Sequence, residues 1–355
     1  MMRTSLGERI TDWAVNGFLW GFRILIIFIV VVGTFLTIRE GKYTSLQWID
    51  FVVSGISQGS IYALIALGYT MVYGILRMIN FAHGEIFMTG AFSGYFVATW
   101  LTNIGFIDAY PALGLIISIL FAMIISALIA MLVERIAYRP LRGASRLVPL
   151  ISAIGASFFL QYTFRGFFGP GVYAYPTIKA LDGDWTLFGI EILKAKIIVV
   201  LAAFVMMAIL YYIVMFTKMG KAMRAVSENK DVAALMGIDV NRIIVTTFAL
   251  GASMAGAAGV LYSLIFRQVS FHMGFVPGVK AFTAAVLGGI GNIPGAMVGG
   301  LVLGILESVG PALFLESIGI DRPYQLKDAI AYIMLVMILL FRPSGILGER
   351  VSKKA

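Results

Sequence analysis

Apolar and polar positions alternate along this chain on a coarse scale, with long apolar runs separated by short polar connections. The runs cover 18–38, 49–75, 81–101, 113–133, 147–164, 196–217, 243–266, 279–309 and 329–341. Most have the length that carries a helix across about 30 Å of hydrocarbon at about 1.5 Å per residue. Lipid offers backbone N–H and C=O groups no partners, so helix is the only open-chain solution for such runs. The pattern predicts an all-α integral membrane protein, a polytopic bundle of about nine or ten hydrophobic helices, some of them broken.

The connections set orientation. Arg135, Arg139, Arg142 and Arg146 share one, and Lys218, Lys221, Arg224, Lys230 and Arg242 lie around another. Basic loops resist translocation, so both are expected in the cytoplasm. The segment 166–195 between them holds Asp182, Asp184 and Glu191 among Gly, Pro and aromatics, and is expected outside. The carboxyl end, with Arg342, Arg350, Lys353 and Lys354, and the amino end, with Arg3 and Arg9, are expected inside. The first run is too long for a signal peptide and no small-x-small site follows it, so it reads as an uncleaved span whose Arg23 snorkels to the interface. The chain thus divides into an amino-terminal tail and extra span (1–46), a transmembrane domain (47–343) and a tail (344–355).

For this topology to close, 279–309 must enter and leave on the same side. Gly288, Gly289, Gly291, Pro294 and Gly295 supply a break at which two half-helices are expected to meet. A comparable break is expected at 77–85, RMINFAHGE. One interruption in each half suggests an internal repeat around a midplane pathway.

Composition narrows the function classes. Of 355 residues 60% are apolar and 13% charged, with a mean hydropathy of +0.94, more apolar surface than a soluble domain can hide. The net charge of +9 sits in the short loops, which indicates membrane orientation rather than nucleic-acid binding. Without cysteine there are no disulfides, thiolate metal sites or cysteine nucleophile, and His83 and His272 are too few for a histidine-rich metal cluster. The Gly-Lys pairs Gly41-Lys42 and Gly220-Lys221 are followed by Tyr43 and Ala222, so there is no P-loop. No Ser, His and Asp set is visible for nucleophilic catalysis. No catalytic residue, metal ligand or cofactor is therefore expected in this chain.

Polar groups inside apolar runs are the candidates for function, because each is costly there unless partnered. Asn80, His83 and Glu85 allow two readings: a pathway element in which Asn80 and His83 bond exposed backbone at a helix break, or an interfacial helix start capped near Asn80 or Gly84, with Glu85 in its first turn. His83 and Glu85, two apart, do not share a helix face and make a poor metal pair. Glu307 has no sequence-near partner and reads as an interface or pathway residue. Gln58, Ser60, Tyr62, Gln161 and Ser253 offer hydrogen bonds to a zwitterion, whereas Gly251, Ala252, Ser253, Ala255, Gly256 and Gly259 read as a close-packing helix face. The polar stretch 218–241 carries an incomplete apolar stripe of Val226, Ala233, Ala234, Leu235 and Ile238, which fits either a membrane surface or a groove on a soluble partner.

Within that stretch 231–237, DVAALMG, resembles the EAA loop of ABC importer permeases, which contacts the ATPase subunit. GISQGSIYALIALGYTMVYGILRMINFAHGEIFMTGAF at 55–92 and FTAAVLGGIGNIPGAMVGGLVLGILE at 282–307 are similar to the permease subunits of high-affinity branched-chain amino acid importers along nearly their whole length. The three stretches agree in order and spacing, and nothing from 47 to 343 conflicts. The departures are the added amino-terminal span and Asp231 where the loop often has glutamate. The resemblance implies a multi-pass permease of the bacterial inner membrane, translocating branched-chain or related hydrophobic amino acids delivered by a periplasmic binding protein. It implies two partner subunits that bind ATP and magnesium, and a second, related permease. Under this reading Arg224, Glu228, Asp231, Ala233, Ala234 and Gly237 couple to the ATPase, and Gln58, Tyr62, Asn80, His83, Glu85, Ser253, Gly289, Asn292 and Pro294 line the pathway or its gate. Rival readings change the cargo to urea, short amides or another amino acid, or make the chain an ion-driven secondary transporter, which needs intramembrane ionisable pairs and leaves 218–241 without a role. An intramembrane enzyme would need a catalytic set that is not visible.

Overall fold

The computed structural model describes residues 6–145, 147–187 and 190–348; Arg3, Arg146, Arg350, Lys353, Lys354 and the tail beyond 348 lie outside the described residues. The helices are α1 (Leu6–Glu40), α2 (Ser45–Leu76), α3 (His83–Asn103), α4 (Phe106–Ala109), α5 (Pro111–Val133), α6 (Leu147–Phe168), α7 (Lys194–Phe216), α8 (Lys218–Glu228), α9 (Lys230–Leu235), α10 (Val240–Phe266), α11 (Phe275–Gly288), α12 (Ile293–Gly310) and α13 (Lys327–Phe341). Strands β1 (Tyr173–Ala174) and β4 (Gln268–Val269) pair antiparallel, as do β2 (Asp184–Leu187) and β3 (Ile190–Leu193). Among the described residues eight helices are long and apolar enough to cross a membrane. With α3 and α11 beside them, the expected all-α membrane bundle is present.

Several helix starts are written locally. Thr44 accepts from the Gln47 amide at 3.4 Å while the Gln47 side chain accepts from the Thr44 amide at 2.9 Å, a capping box that opens α2. Asp239 caps α10 and Asn292 caps α12, each accepting at 3.0 Å from the amide three residues on, and Pro294 fits the first turn of α12. The bundle has two ends. Arg77, Arg142 and α8–α9 mark a basic end, and the two strand pairs, with an Arg267–Asp182 ion pair at 2.5 Å, mark the opposite one.

Helices α2 and α10 form the centre, while α1, α6 and α13 lie at the periphery with apolar faces turned outward. Lipid gives apolar helices little reason to associate, so contact depends on close backbone approach over small residues. Gly55 and Gly59 of α2 pack on Gly300 and Gly304 of α12; a Cβ at Gly300 would lie 2.5 Å from the Ala63 backbone. The small face expected on α10 is used the same way, Gly256 meeting Gly90 of α3 and Gly251 meeting Gly68 of α2. Arg23, expected to snorkel, stacks on Trp20 and on Phe341 at the end of α13, its guanidinium 3.5 Å from the Phe341 ring centre.

The run 279–309 does enter and leave on one side, but its break is not at mid-depth. Gly291 approaches Gly74 near the basic end of α2, so Gly289–Asn292 is a turn at that end, between a short α11 and a full-length α12. Gly289 adopts φ 108° there, and Ser344–Gly348 folds onto the turn, with Ile346 and Leu347 donating to the carbonyls of Leu287 and Gly288 at 2.8 and 3.0 Å. The second mid-depth interruption precedes α11 instead. After β4 the chain returns into the bundle through 270–274, and Gly274 reaches Gly84 at the start of α3. Glycine and proline cluster at the tight turn, whereas the returning SFHMG holds a single glycine, Gly274, and lies before the apolar run that begins at 279.

The glycine contacts yield a test. Gly304→Val should push α12 off Gly55 and Gly59 and cost about 1–3 kcal/mol or more by overpacking, seen as a lower unfolding midpoint in detergent. Gly143→Val, in open space, should leave the midpoint unchanged. Equal midpoints for the two variants would show that α2 and α12 do not depend on this approach.

Candidate functional site

Helix α3 begins inside the bundle. His83, its first residue, bonds the Ile65 carbonyl of α2 through Nε2 at 3.2 Å and sets its ring edge-on to Tyr69, with centroids 4.8 Å apart. A side chain at Gly68 would overlap that ring, so this glycine makes the room for it. Gly68 lies eight residues before Leu76, about 12 Å short of the end of α2. Asn80 accepts from the Tyr138 hydroxyl at 2.5 Å rather than capping a helix, and no side-chain cap opens α3. His83 therefore bonds backbone within the continuous helix α2 rather than backbone exposed at a break, Asn80 does not cap, and Glu85 stands in the first turn of α3 as the second reading has it.

Helix α11 starts against the same place. Gly274 and Gly278 lie against Gly84, and the Glu85 carboxylate occupies space that a side chain at Gly274 would fill. Between the two helix starts and α6 is a cavity of about 80 Å³, walled by Phe81, Ile154, Phe158, Phe275 and Val279, with Tyr69, Glu85, Ser157 and Gln161 as its polar lining. Glu85 is 1% exposed. Its Oε1 accepts from Ser157 at 3.4 Å, and its Oε2 has no hydrogen-bond partner. The cavity can enclose an apolar group while presenting one carboxylate and three neutral hydrogen-bonding side chains.

A second polar cluster joins α2, α11, α12 and α13. Lys280 Nζ lies 2.9 Å from Glu307 Oε1 and 2.7 Å from Asp328 Oδ1, and the Tyr62 hydroxyl donates to Glu307 Oε2 at 3.0 Å. Lys280, Glu307 and Tyr62 are buried, so each charge depends on the others. Lys280 was missed in the sequence, and with it the partner of Glu307. The signal was available: α11 and α12 form a hairpin, with Ala284 beside Gly299, which brings the lone charges of the two apolar segments to neighbouring turns.

The basic end carries the third candidate. Helix α8 buries Gly220, Met223 and Val226 against the bundle, and Asn229 caps α9 by accepting from the Asp231 and Val232 amides at 3.0 and 3.1 Å. Gly237 closes α9 at φ 83°. The expected apolar stripe is split between two faces. Ala233 is buried with Val226, whereas Ala234 is exposed and Leu235 and Met236 are 87% and 78% exposed. Ala233 thus supports the loop from within, and the outward apolar knob includes Met236, which the stripe left out. Arg224 turns back to the Val214 and Met215 carbonyls at the end of α7, while Glu228 and Asp231 stay at the exposed surface. Burial, then Arg142 and Arg77, lower the Lys230 ammonium from its ordinary pKa. Arg77, left-handed at φ 57°, donates to the Ser227 carbonyl of α8 at 3.3 Å, which joins this loop to the chain leading into Asn80–Glu85.

The expected pathway residues do not gather in one place. Glu85 lines the cavity together with Gln161, His83 packs on α2 through Ile65 O, and Asn80 bonds Tyr138. Tyr62 belongs to the Lys280 cluster, and the Ser253 hydroxyl is bonded to Leu250 O at 2.7 Å. Gln58 is half-buried on α2. Gly289, Asn292 and Pro294 form the turn at the basic end, where Asn292 Nδ2 donates to Leu347 O at 2.7 Å.

Comparison with known proteins places this geometry among transport permeases. The family described as branched-chain amino acid transport system / permease component matches residues 51–339. The high-affinity branched-chain amino acid transport system permease protein BraD of Pseudomonas aeruginosa is 41% identical over 311 residues, 87% of this chain and 98% of that protein. The corresponding protein LivH of Escherichia coli is 40% identical over 314 residues, with the same 87% and 98% coverage. The ribose import permease protein RbsC of Escherichia coli is 25% identical over 328 residues, 89% of this chain and 92% of its own.

The buried cluster generates a stability test. Lys280→Met alone should strand Glu307 and cost about 3–5 kcal/mol, whereas Lys280→Met with Glu307→Leu should recover most of that loss. Unfolding midpoints in detergent report both. Equal destabilisation by the single and double variants would mean that the two charges are not coupled.

Proposed function

The chain belongs to the family of permease components of branched-chain amino acid transport systems, and from this we propose that it is the membrane-spanning subunit of an ATP-driven importer for branched-chain or related apolar amino acids. The observation that carries the reading to this chain's own residues is the chamber where α3 and α11 start against each other inside the bundle. Interrupted helices at depth are a recurrent way to build a transport site. Apolar walls around one carboxylate suit an apolar amino acid better than urea or a short amide.

Lys280 and Glu307 are the kind of intramembrane pair that an ion-driven transporter would need. They neutralise each other at a buried contact, however, and the relatives at 40–41% identity are named as transport-system permease proteins.

In the proposed arrangement the basic end and both termini face the cytoplasm, as the arginine and lysine loops require. Two ATPase subunits, which bind the ATP and magnesium, dock on the loops of this chain and of a related second permease, and a binding protein delivers cargo to the opposite end. On this chain the docking knob is Ala234, Leu235 and Met236, held outward by the buried Val226 and Ala233. Closure of the ATPases moves α8–α9; the Arg77–Ser227 contact carries that movement to 78–82 and so to Glu85. The protein does its work through contacts that differ between two states, with no chemical step in this chain.

Reconstituted vesicles containing the whole complex test this. Leu235→Asp with Met236→Asp should weaken ATPase association about thirtyfold or more, the loss typical of a central anchor, and lower stimulation by loaded binding protein. Arg77→Gly, which keeps the left-handed backbone but removes the guanidinium, should retain association and lower uptake per ATP hydrolysed. Full association and full stimulation in the double variant would refute the docking assignment. Unchanged uptake per ATP in Arg77→Gly would refute the transmission route.

A further inference from the structure

Three glutamates are buried within the bundle: Glu85, Glu134 and Glu307. Two of them have a cation from this chain. Arg142 pairs with Glu134, and Lys280 pairs with Glu307 while Tyr62 donates to the same carboxylate. An ionised carboxylate held away from water without a counter-charge is costly, and these pairings are how a membrane protein ordinarily meets that cost. Glu85 is the exception. Among the described residues no ion pair reaches it; its one side-chain partner is the Ser157 hydroxyl, and Oε2 has none.

The surroundings of Glu85 differ from those of the other two in a second respect. Its carboxylate is on the wall of the cavity between α3, α6 and α11, which is otherwise lined chiefly by aromatic and branched aliphatic side chains. At roughly 10–15 Å³ for each water-sized site, a cavity of about 80 Å³ has room for several non-hydrogen atoms. Glu85 sits in the first turn of α3, and α11 starts on the facing wall at Gly274. Both helix amino ends therefore favour negative charge at this point, and neither supplies a side-chain cation.

We propose that the cation missing at Glu85 is the ammonium group of the cargo: the Glu85 carboxylate receives the primary ammonium of an apolar amino acid, with Ser157 and Gln161 beside it and the apolar walls around the aliphatic side chain. This rests on the transport reading given above and names the group in the pathway that recognises the charged head of the cargo. A single counter-ion among apolar walls and a few neutral polar side chains holds the cargo in passing. Once the ammonium leaves, Glu85 is again the buried carboxylate without a partner.

The absence of cysteine makes the test direct. Val279→Cys places one thiol in this chain on the cavity wall, and its labelling in the purified whole complex is followed by mass. Leucine and 3-methylbutylamine, which carry the ammonium, should slow labelling; 4-methylpentanoate, which has the same branched chain and no ammonium, should not. Glu85→Gln should raise the half-protecting leucine concentration about thirtyfold, the loss expected when one partner of a buried charge pair is removed, and Glu85→Asp should recover part of it. The proposal is overturned if leucine protects the Gln variant as well as the parent, if the acid protects as well as the amine, or if none of the three compounds protects. The amine and acid comparison needs no change at Glu85, so it stands even where that variant fails to assemble. ATP-driven leucine uptake by the unmodified complex in vesicles separates the two claims. Its absence defeats the transport reading, whereas its presence beside an overturning labelling result defeats the Glu85 assignment alone.

Discussion

Backbone that leaves the helix at membrane depth has to be enclosed by protein, because lipid cannot bond its N–H and C=O groups. Much of the architecture follows from meeting that requirement twice. The chain before α3 and the chain before α11 both run inside the bundle, and each is screened by the other, with α2, α6 and α10 completing the enclosure. Gly84, Gly274 and Gly278 let the two starts touch, and Gly68 admits His83, whose bond to Ile65 O fixes α3 on the central helix. The imperfect closure of this junction leaves the cavity.

Buried charge is distributed with equal economy. Glu134 meets Arg142 at the basic end, and Lys280, Glu307, Asp328 and Tyr62 close on one another where α11 and α12 pack on α2 and α13. These clusters hold helices in fixed relation. The carboxylate left over, Glu85, lies at the junction that fixed packing does not fill. Arg77, at the other end of the short connection from α2 to α3, rests on α8, so few residues of chain separate Glu85 from the loop proposed to dock the ATPases.

Much of this was legible in the sequence, for identifiable reasons. Spans are visible because hydrocarbon thickness dictates run length. Gly237 announced the end of α9, and RMINFAHGE announced the first break, since Asn, His and Glu stand out in an apolar context. The second break was misplaced because the tight turn concentrates Gly288, Gly289, Gly291, Pro294 and Gly295, whereas the returning SFHMG has only Gly274 to mark it. Asn80 with Tyr138, and Glu307 with Lys280, join residues far apart in the chain, and only the packing of helices discloses them. The inward turn of Ala233 was hidden because α9 is too short to show a helical period of its own.

The central claim is that the junction of α3 and α11 is a pathway whose access alternates. Phe275→Cys, at the start of α11 on the cavity wall, reports on this directly in vesicles holding the whole complex, with impermeant thiol reagents applied to one face at a time. The account predicts labelling from one face without nucleotide and from the other with the ATPases trapped closed. Labelling from the same face at the same rate in both states would contradict it.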